Sequence, residues 1–177
     1  MAEVTLPSPK ERNLYLSDAV TLKSMQELTE DILEINENDT YLQKLYSLHG
    51  LTYEPKPINL YIDSYGGAAY QVFGLIGVME NSKVPIYTYV TGCAMSCGFL
   101  ILINGHKRFA YKHATPLYHS VSNFVFGTVK TIEEELKESK RLQKLMEKMV
   151  LKKTKIPKEK LEKIYKRKLD WFLNAKK

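Results

Sequence analysis

The sequence predicts an α/β domain in which parallel strands are joined by helical crossovers. Three observations predict it. Short runs rich in β-branched and aromatic residues, such as Ile58–Ile62 and Ile86–Val90, alternate with longer stretches of helical periodicity. Two junctions between such segments carry glycine, at Ser64-Tyr65-Gly66-Gly67 and at Gly92-Cys93-Ala94-Met95-Ser96-Cys97-Gly98. A length of 177 residues with 44% hydrophobic and 26% charged content suits a single domain over 1–177.

Asn13–Leu16 reads as the first strand, with Ser17 or Asp18 placed to cap the next helix. Leu22, Met25, Leu28, Ile32 and Ile35 recur at helical spacing and predict an amphipathic helix over 21–36. Asn36 to Asp39 interrupts that pattern. Leu42, Leu45 and Leu48 then predict a second, short helix over about 40–49, stopped by Gly50. Glu54-Pro55-Lys56-Pro57 is a rigid connector to the strand Ile58–Ile62, and an apolar helix runs from the paired glycines as far as about Asn81. Pro85 opens the strand Ile86–Val90, Thr91-Gly92 breaks it, and 95–104 is apolar enough for a buried helix. Arg108–Tyr111 and Pro116–Val121 are short strands. A Glu/Lys-rich helix runs from Thr128 to about Lys153, Pro157 starts another reaching about Lys166, and Leu169–Ala175 closes the chain.

The formal charge of +6 is unevenly placed, with +9 on residues 130–177 and −3 on the first 129. The excess lies on predicted helix without the aromatic and glycine motifs of nucleic-acid readers. It therefore predicts a solvated face or an assembly surface, and no nucleic-acid partner. Cys93 and Cys97, four apart and the only two cysteines, match neither a disulfide scaffold, a Cys-x-x-Cys redox pair nor a zinc site. They are expected to be small buried hydrophobes, with no metal bound. No apolar run approaches the roughly 20 residues of a membrane helix, and the N-terminus lacks a signal-peptide pattern. A cytoplasmic protein with no membrane partner is expected.

The paired glycines expose backbone N–H groups at a helix N-terminus, which suits a phosphate, a carboxylate or an oxyanion. Equally, they suit a tight turn that lets the helix pack closely on its strand. Ser96 opens the most apolar helix, so its hydroxyl stands near the positive end of the macrodipole, with the Cys97 N–H beside it as an oxyanion donor. A simple N-cap also places serine there, and Ala94 stands where a Gly-x-Ser-x-Gly elbow needs glycine. His49 and His106 adjoin glycines in turns, and His113 lies in a loop. His119 lies in a predicted strand with Leu117 and Val121 on its face. It is either a satisfied core histidine or a general base oriented by a carboxylate, with Asp63 and Asp170 the candidates.

In chain order these segments resemble the ClpP family, the proteolytic subunits of the Clp protease, over about residues 11 to 177. Glu11-Arg12-Asn13-Leu14-Tyr15-Leu16 resembles the family's first strand, and Ile62-Asp63-Ser64-Tyr65-Gly66-Gly67 its Asn-Ser-Pro-Gly-Gly turn. Gly92-Cys93-Ala94-Met95-Ser96-Cys97-Gly98 resembles Gly-Gln-Ala-Ala-Ser-Met-Gly, Tyr118-His119 falls at Met-Ile-His-Gln-Pro, and Asp170–Ala175 matches the stretch that carries the third triad member. The resemblance implies a ClpP/crotonase-like spiral of β-β-α units with a long protruding handle helix at about 128–153. It implies a serine endopeptidase acting on unfolded polypeptides in a closed chamber. Ser96 would be the nucleophile, His119 the base, Asp170 its orienting carboxylate, and the N–H groups of Gly67 and Cys97 the oxyanion hole. Val121, Ser122, Asn123, Phe124 and Val125 belong to the stretch resembling the strand that takes substrate by β-addition.

No cofactor is implied. The implied partners are polypeptide substrates, further copies of the chain in stacked heptameric rings, and a Clp ATPase unfoldase. A catalytically silent ring subunit is the main alternative, and a crotonase-type acyl-CoA enzyme a third. The chain departs from the family at Tyr65 for proline, at Ser120-Val121 for Gln-Pro, in fewer glycines over 123–127, and in an apparent insertion over about 38–57. Ten residues before Glu11 are short for the segment that forms axial pore loops, which weighs against the ATPase. The family also continues past the position of Lys177, so a truncated C-terminal end is expected.

Overall fold

The computed structural model describes residues 6–175; the first five residues of the N-terminal lead and the last two lysines lie outside the described residues. Strands β1 (Asn13–Leu16), β2 (Ile58–Ser64), β3 (Ile86–Met95), β4 (Lys107–Ala110) and β5 (Thr115–Tyr118) run parallel, and β6 (Trp171–Phe172) adds antiparallel to β5. The sheet order is β1-β2-β3-β5-β6, with β4 also paired to β3. Helices α1 (Leu22–Leu48), α2 (Ala69–Glu80), α3 (Cys97–Asn104), α4 (Val129–Lys153) and α5 (Lys158–Arg167) complete the mixed α/β fold that the strand and helix patterns predict.

Alternation along the strands sorts their side chains to two faces. Leu14 and Leu16 of β1, Leu60 and Ile62 of β2, and Val90 of β3 point inward. They meet Leu28 and Ile32 of α1, Leu75 and Met79 of α2, and the wholly buried α3. On the opposite face the register sets Tyr15 beside Tyr61, Tyr61 beside Tyr89, and Tyr89 beside Phe109. Their rings stack at centroid distances of 5.3, 4.9 and 4.6 Å.

Three expected boundaries move, the first two because a tertiary contact outweighs a local signal. The two helices expected over 21–49 are one helix of 27 residues. Asn36 and Asp39, the predicted interruption, are buried but fully partnered. Asn36 Nδ2 donates to the Ile32 carbonyl at 2.6 Å, and its Oδ1 accepts the Lys83 N–H at 2.7 Å. The Asp39 carboxylate pairs with both terminal nitrogens of the Arg12 guanidinium and accepts the Tyr53 hydroxyl at 2.7 Å. The same hydrogen bond to Asp39 holds the Arg12 pKa above its ordinary value. The helix is capped by Thr21 rather than Ser17 or Asp18, because Thr21 and Ser24 exchange side-chain and backbone bonds in a capping box.

Strand β3 does not break at Thr91-Gly92 but continues to Met95, with a register irregularity opposite Ile62 and Ser64. The lack of a side chain at Gly92 makes this possible, since a Cβ there would overlap the Asp63 carboxylate. Asp63 Oδ1 occupies that space and accepts the Cys93 N–H at 2.8 Å. The last expected strand ends early: β5 stops at Tyr118, so His119 lies one residue beyond the sheet. Residues 119–126 form no strand.

Thr128 caps α4 by accepting the Thr131 N–H at 3.2 Å. The helix buries only Leu142, Gln143, Met146 and Val150, all in its second half. No helix among the described residues is long and apolar enough to cross a membrane.

The Arg12–Asp39–Tyr53 cluster pins the 38–57 segment to the start of β1. Replacing Asp39 by alanine leaves a mostly buried guanidinium without its carboxylate. Unfolding in urea is expected to show a loss of about 3 kcal/mol; a change below about 0.5 kcal/mol contradicts a structural role for the pair.

Candidate functional site

Ser96 occupies the single residue between the end of β3 and the start of α3, at φ 53° and ψ −117°. Positive φ at a non-glycine residue costs on the order of 1–3 kcal/mol and persists only where the surroundings enforce it. Here the Ser96 N–H donates to the Leu117 carbonyl at 3.0 Å, and all eight residues of α3 are buried behind it. The Ser96 side chain makes no capping hydrogen bond, which sets aside a simple N-cap. The position is thus a strained strand-to-helix turn that presents a hydroxyl, reached without the glycine pattern of the usual elbow. The Cys97 N–H, first in the helix, has no acceptor within it.

The Gly66-Gly67 turn packs directly against this serine. Gly66 has φ 94°, and a Cβ on it would stand 2.6 Å from the Met95 carbonyl oxygen, 2.8 Å from Ser96 Cβ and 2.9 Å from the Cys97 nitrogen. Gly67, at φ 150°, lies as tightly against the Val20 carbonyl. Val20 fixes the turn from the other side, donating to the Gly66 carbonyl at 2.8 Å and accepting the Ala68 N–H at 2.9 Å. The Cys97 thiol donates to the Gly67 carbonyl at 3.1 Å, and burial pushes its pKa up, keeping it protonated. The turn and the serine are therefore tied to each other through Gly67 and Cys97.

His119 is half-buried, and its Nδ1 lies 2.5 Å from the Ser120 carbonyl oxygen. The antiparallel register pairs Leu117 with Phe172 and Tyr118 with Trp171, which brings Asp170 alongside His119 one step further on. His119, Ser120, Val121, Ser122 and Asp170 line one cavity of about 500 Å³. Among the described residues no hydrogen bond joins His119 to Asp170, whose carboxylate is exposed. Ser96 is not part of the cavity wall; its N–H bonds the Leu117 carbonyl, two residues before His119. Asp63, the other candidate carboxylate, is engaged by the Cys93 N–H and does not reach this cavity.

Val121 and Val125 are half-buried, whereas Ser122, Asn123 and Phe124 are exposed, Phe124 at 90%. The expected substrate-binding strand is therefore a segment without a sheet partner. Two of the other three histidines have structural places, since His106 Nδ1 accepts the Ile86 N–H at 3.1 Å and His49 ends α1, and His113 is exposed in a turn. Cys93 and Cys97 are buried and unpaired, as their spacing predicts. One polar residue at the site carried no signal in the sequence. Gln143, on the buried face of α4, accepts the Val121 N–H at 2.8 Å.

These features define an α/β protein with a parallel sheet, in which a strained serine and a paired-glycine turn meet at the start of a buried helix. The chain belongs to the Clp protease family, whose sequence model matches residues 10–177. One relative is the ATP-dependent Clp protease proteolytic subunit 2 of Treponema denticola, 32% identical over 123 residues that cover 68% of this chain. The match spans 60% of that relative's length.

The close approach at Gly66 has a direct test. Gly66→Ala is expected to lower stability in urea unfolding by more than about 1 kcal/mol, because the new methyl group meets backbone atoms at a positive φ. Gly74→Ala, inside α2 with open space around it, is expected to raise stability by about 0.5–1 kcal/mol. Equal effects at the two positions contradict the packing described.

Proposed function

We propose that the chain is a serine endopeptidase that hydrolyses peptide bonds of unfolded polypeptides through Ser96, His119 and Asp170. The observation that carries this reading is the conformation of Ser96, a strained serine with an uncapped hydroxyl at the mouth of a buried helix. Family membership supports it.

In the proposed reaction His119 Nε2 takes the proton of Ser96 Oγ as the oxygen attacks the scissile carbonyl. The Nδ1 contact with the Ser120 carbonyl supports this role. An Nδ1–H donated there leaves Nε2 unprotonated, the tautomer a base requires. The N–H groups of Gly67 and Cys97 receive the oxyanion, and Asp170 stabilises the imidazolium. The proton passes from His119 to the leaving amine, and water then releases the acyl group from Ser96 by the same steps in reverse.

The backbone of Val121–Val125 joins no sheet, and apart from the Val121 N–H it offers hydrogen bonds to an extended peptide, which supports substrate binding by strand addition. The exposed first half of α4 supports a role as a handle between stacked heptameric rings of this chain. The name of the relative describes an ATP-dependent protease. By that likeness an ATP-dependent Clp partner delivers unfolded substrate. A catalytically silent ring subunit is the alternative, and labelling of the serine separates the two.

Treatment of the purified chain with a fluorophosphonate probe, with peptide mapping of the product, is expected to show modification of Ser96. Ser96→Ala and His119→Ala are each expected to abolish labelling and to lower peptide cleavage by several powers of ten while assembly is retained. An assembled ring that takes no label establishes the silent subunit. Asp170→Asn is expected to reduce cleavage by more than about ten-fold, through loss of charge stabilisation of the imidazolium, and Asp63→Asn to leave it within an order of magnitude; the reverse ranking assigns the supporting role to Asp63.

A further inference from the structure

We infer that Gln143 is a positioning residue for His119, acting through the Val121 backbone on one side of it and the Tyr118 side chain on the other; the inference rests on the proposed triad. Past the end of β5, residues 119–121 have no sheet partner. Among the described residues, a single hydrogen bond ties them to another element, from the Val121 N–H to Gln143 Oε1 at 2.8 Å. The same carboxamide donates through Nε2 to Glu147 Oε1 at 2.7 Å and faces the Tyr118 hydroxyl at 3.5 Å. One side chain thus holds residues 118 and 121, and His119 lies between them.

The anchor is itself rigid. Gln143 is 6% exposed, and its neighbours Leu142, Met146 and Val150 fix this part of α4 in the core. Tyr118 is 1% exposed and packs edge-on against Phe99 of α3, the helix that Ser96 begins. The base and the nucleophile are therefore referred to the same buried helix. The carboxamide satisfies both neighbours at once, because its oxygen accepts from Val121 and its nitrogen donates to Glu147.

The chemistry of position 121 explains why this chain needs the clamp. Val121 stands where the resembled motif has proline, a residue without an N–H and with a fixed φ. Valine restores a backbone donor and a rotatable φ, and Gln143 takes up the donor. A donor left unsatisfied is costly, whereas removing donor and acceptor together is close to neutral.

The test uses the full chain and monitors the rate of fluorophosphonate labelling at Ser96, the kcat and KM of peptide cleavage, and thermal unfolding. Gln143→Met is expected to slow labelling and lower kcat by about ten-fold, with KM changed less than about three-fold. Should Gln143→Met fail to fold, the exchange Gln143→Glu with Glu147→Gln carries the test. It keeps an acceptor for Val121 and a donor–acceptor pair with position 147, and a rate within about three-fold of wild type is expected. Labelling of Gln143→Met at the wild-type rate overturns the inference, as does a rate for the exchange as low as that of Gln143→Met. A wild-type chain that takes no label at Ser96 overturns the proposed triad and this inference with it, an outcome distinct from a labelled wild type indifferent to Gln143.

Discussion

Two backbones lie closer here than any side chain permits, and the rest of the site depends on that contact. Gly66 sits against Met95, Ser96 and Cys97 with no room for a Cβ. Because the turn after β2 and the turn after β3 press together, the β2–β3 ladder must slip where it reaches them, and the irregularity at Ile62 and Ser64 is that slip. Asp63 and Gly92 are its two halves, a carboxylate on one strand filling the space left by a missing side chain on the other. Val20 closes the arrangement from the β1–α1 connection by bonding both sides of Gly67. Positive φ at Ser96 is the remaining consequence: with α3 buried along its whole length and β3 held by its neighbours, the joining residue absorbs the turn.

The opposite wall obeys another rule. Every buried backbone polar group needs a partner, and beyond Tyr118 the sheet no longer provides one. The fold meets this need from the side, through a glutamine on α4 and through β6, which reaches β5 because Lys168 reverses the chain at φ 50° after α5. The Leu169 N–H returns to the Ile164 carbonyl, and the chain emerges antiparallel to β5. A two-residue strand is enough to bring Asp170 beside His119.

Elements with strong periodicity were legible in the sequence. Helices α2, α4 and α5 and strands β1 and β2 fall close to where apolar spacing, caps and prolines place them. The misplacements share one cause. Asn36 and Asp39 read as a break because polar residues seldom sit on the apolar face of a helix, yet Lys83, Ser82, Arg12 and Tyr53 supply their partners from 14 to 47 residues away. Thr91-Gly92 read as a strand end because glycine weakens strands, while its actual use is to admit Asp63. The serine, histidine and glycines of the site stood out by residue type and order. Gln143 did not, because its partner is a backbone N–H, and nothing in a sequence marks which N–H lacks an acceptor.

Composition could not choose between Asp63 and Asp170, since both are acidic residues at the edge of an apolar stretch. Hydrogen bonding separates them. The Asp63 carboxylate is held by the Cys93 N–H at the β3 irregularity, where it supports the strand that leads to Ser96. The Asp170 carboxylate is committed to no such strand support and shares a cavity wall with His119. A carboxylate fixed by backbone shapes the frame of a site, whereas one facing a half-buried imidazole across a cavity is free to answer a charge that forms there. The two residues thus differ in what the surrounding backbone leaves them to do, which is why the proposed reaction gives Asp170, not Asp63, to His119.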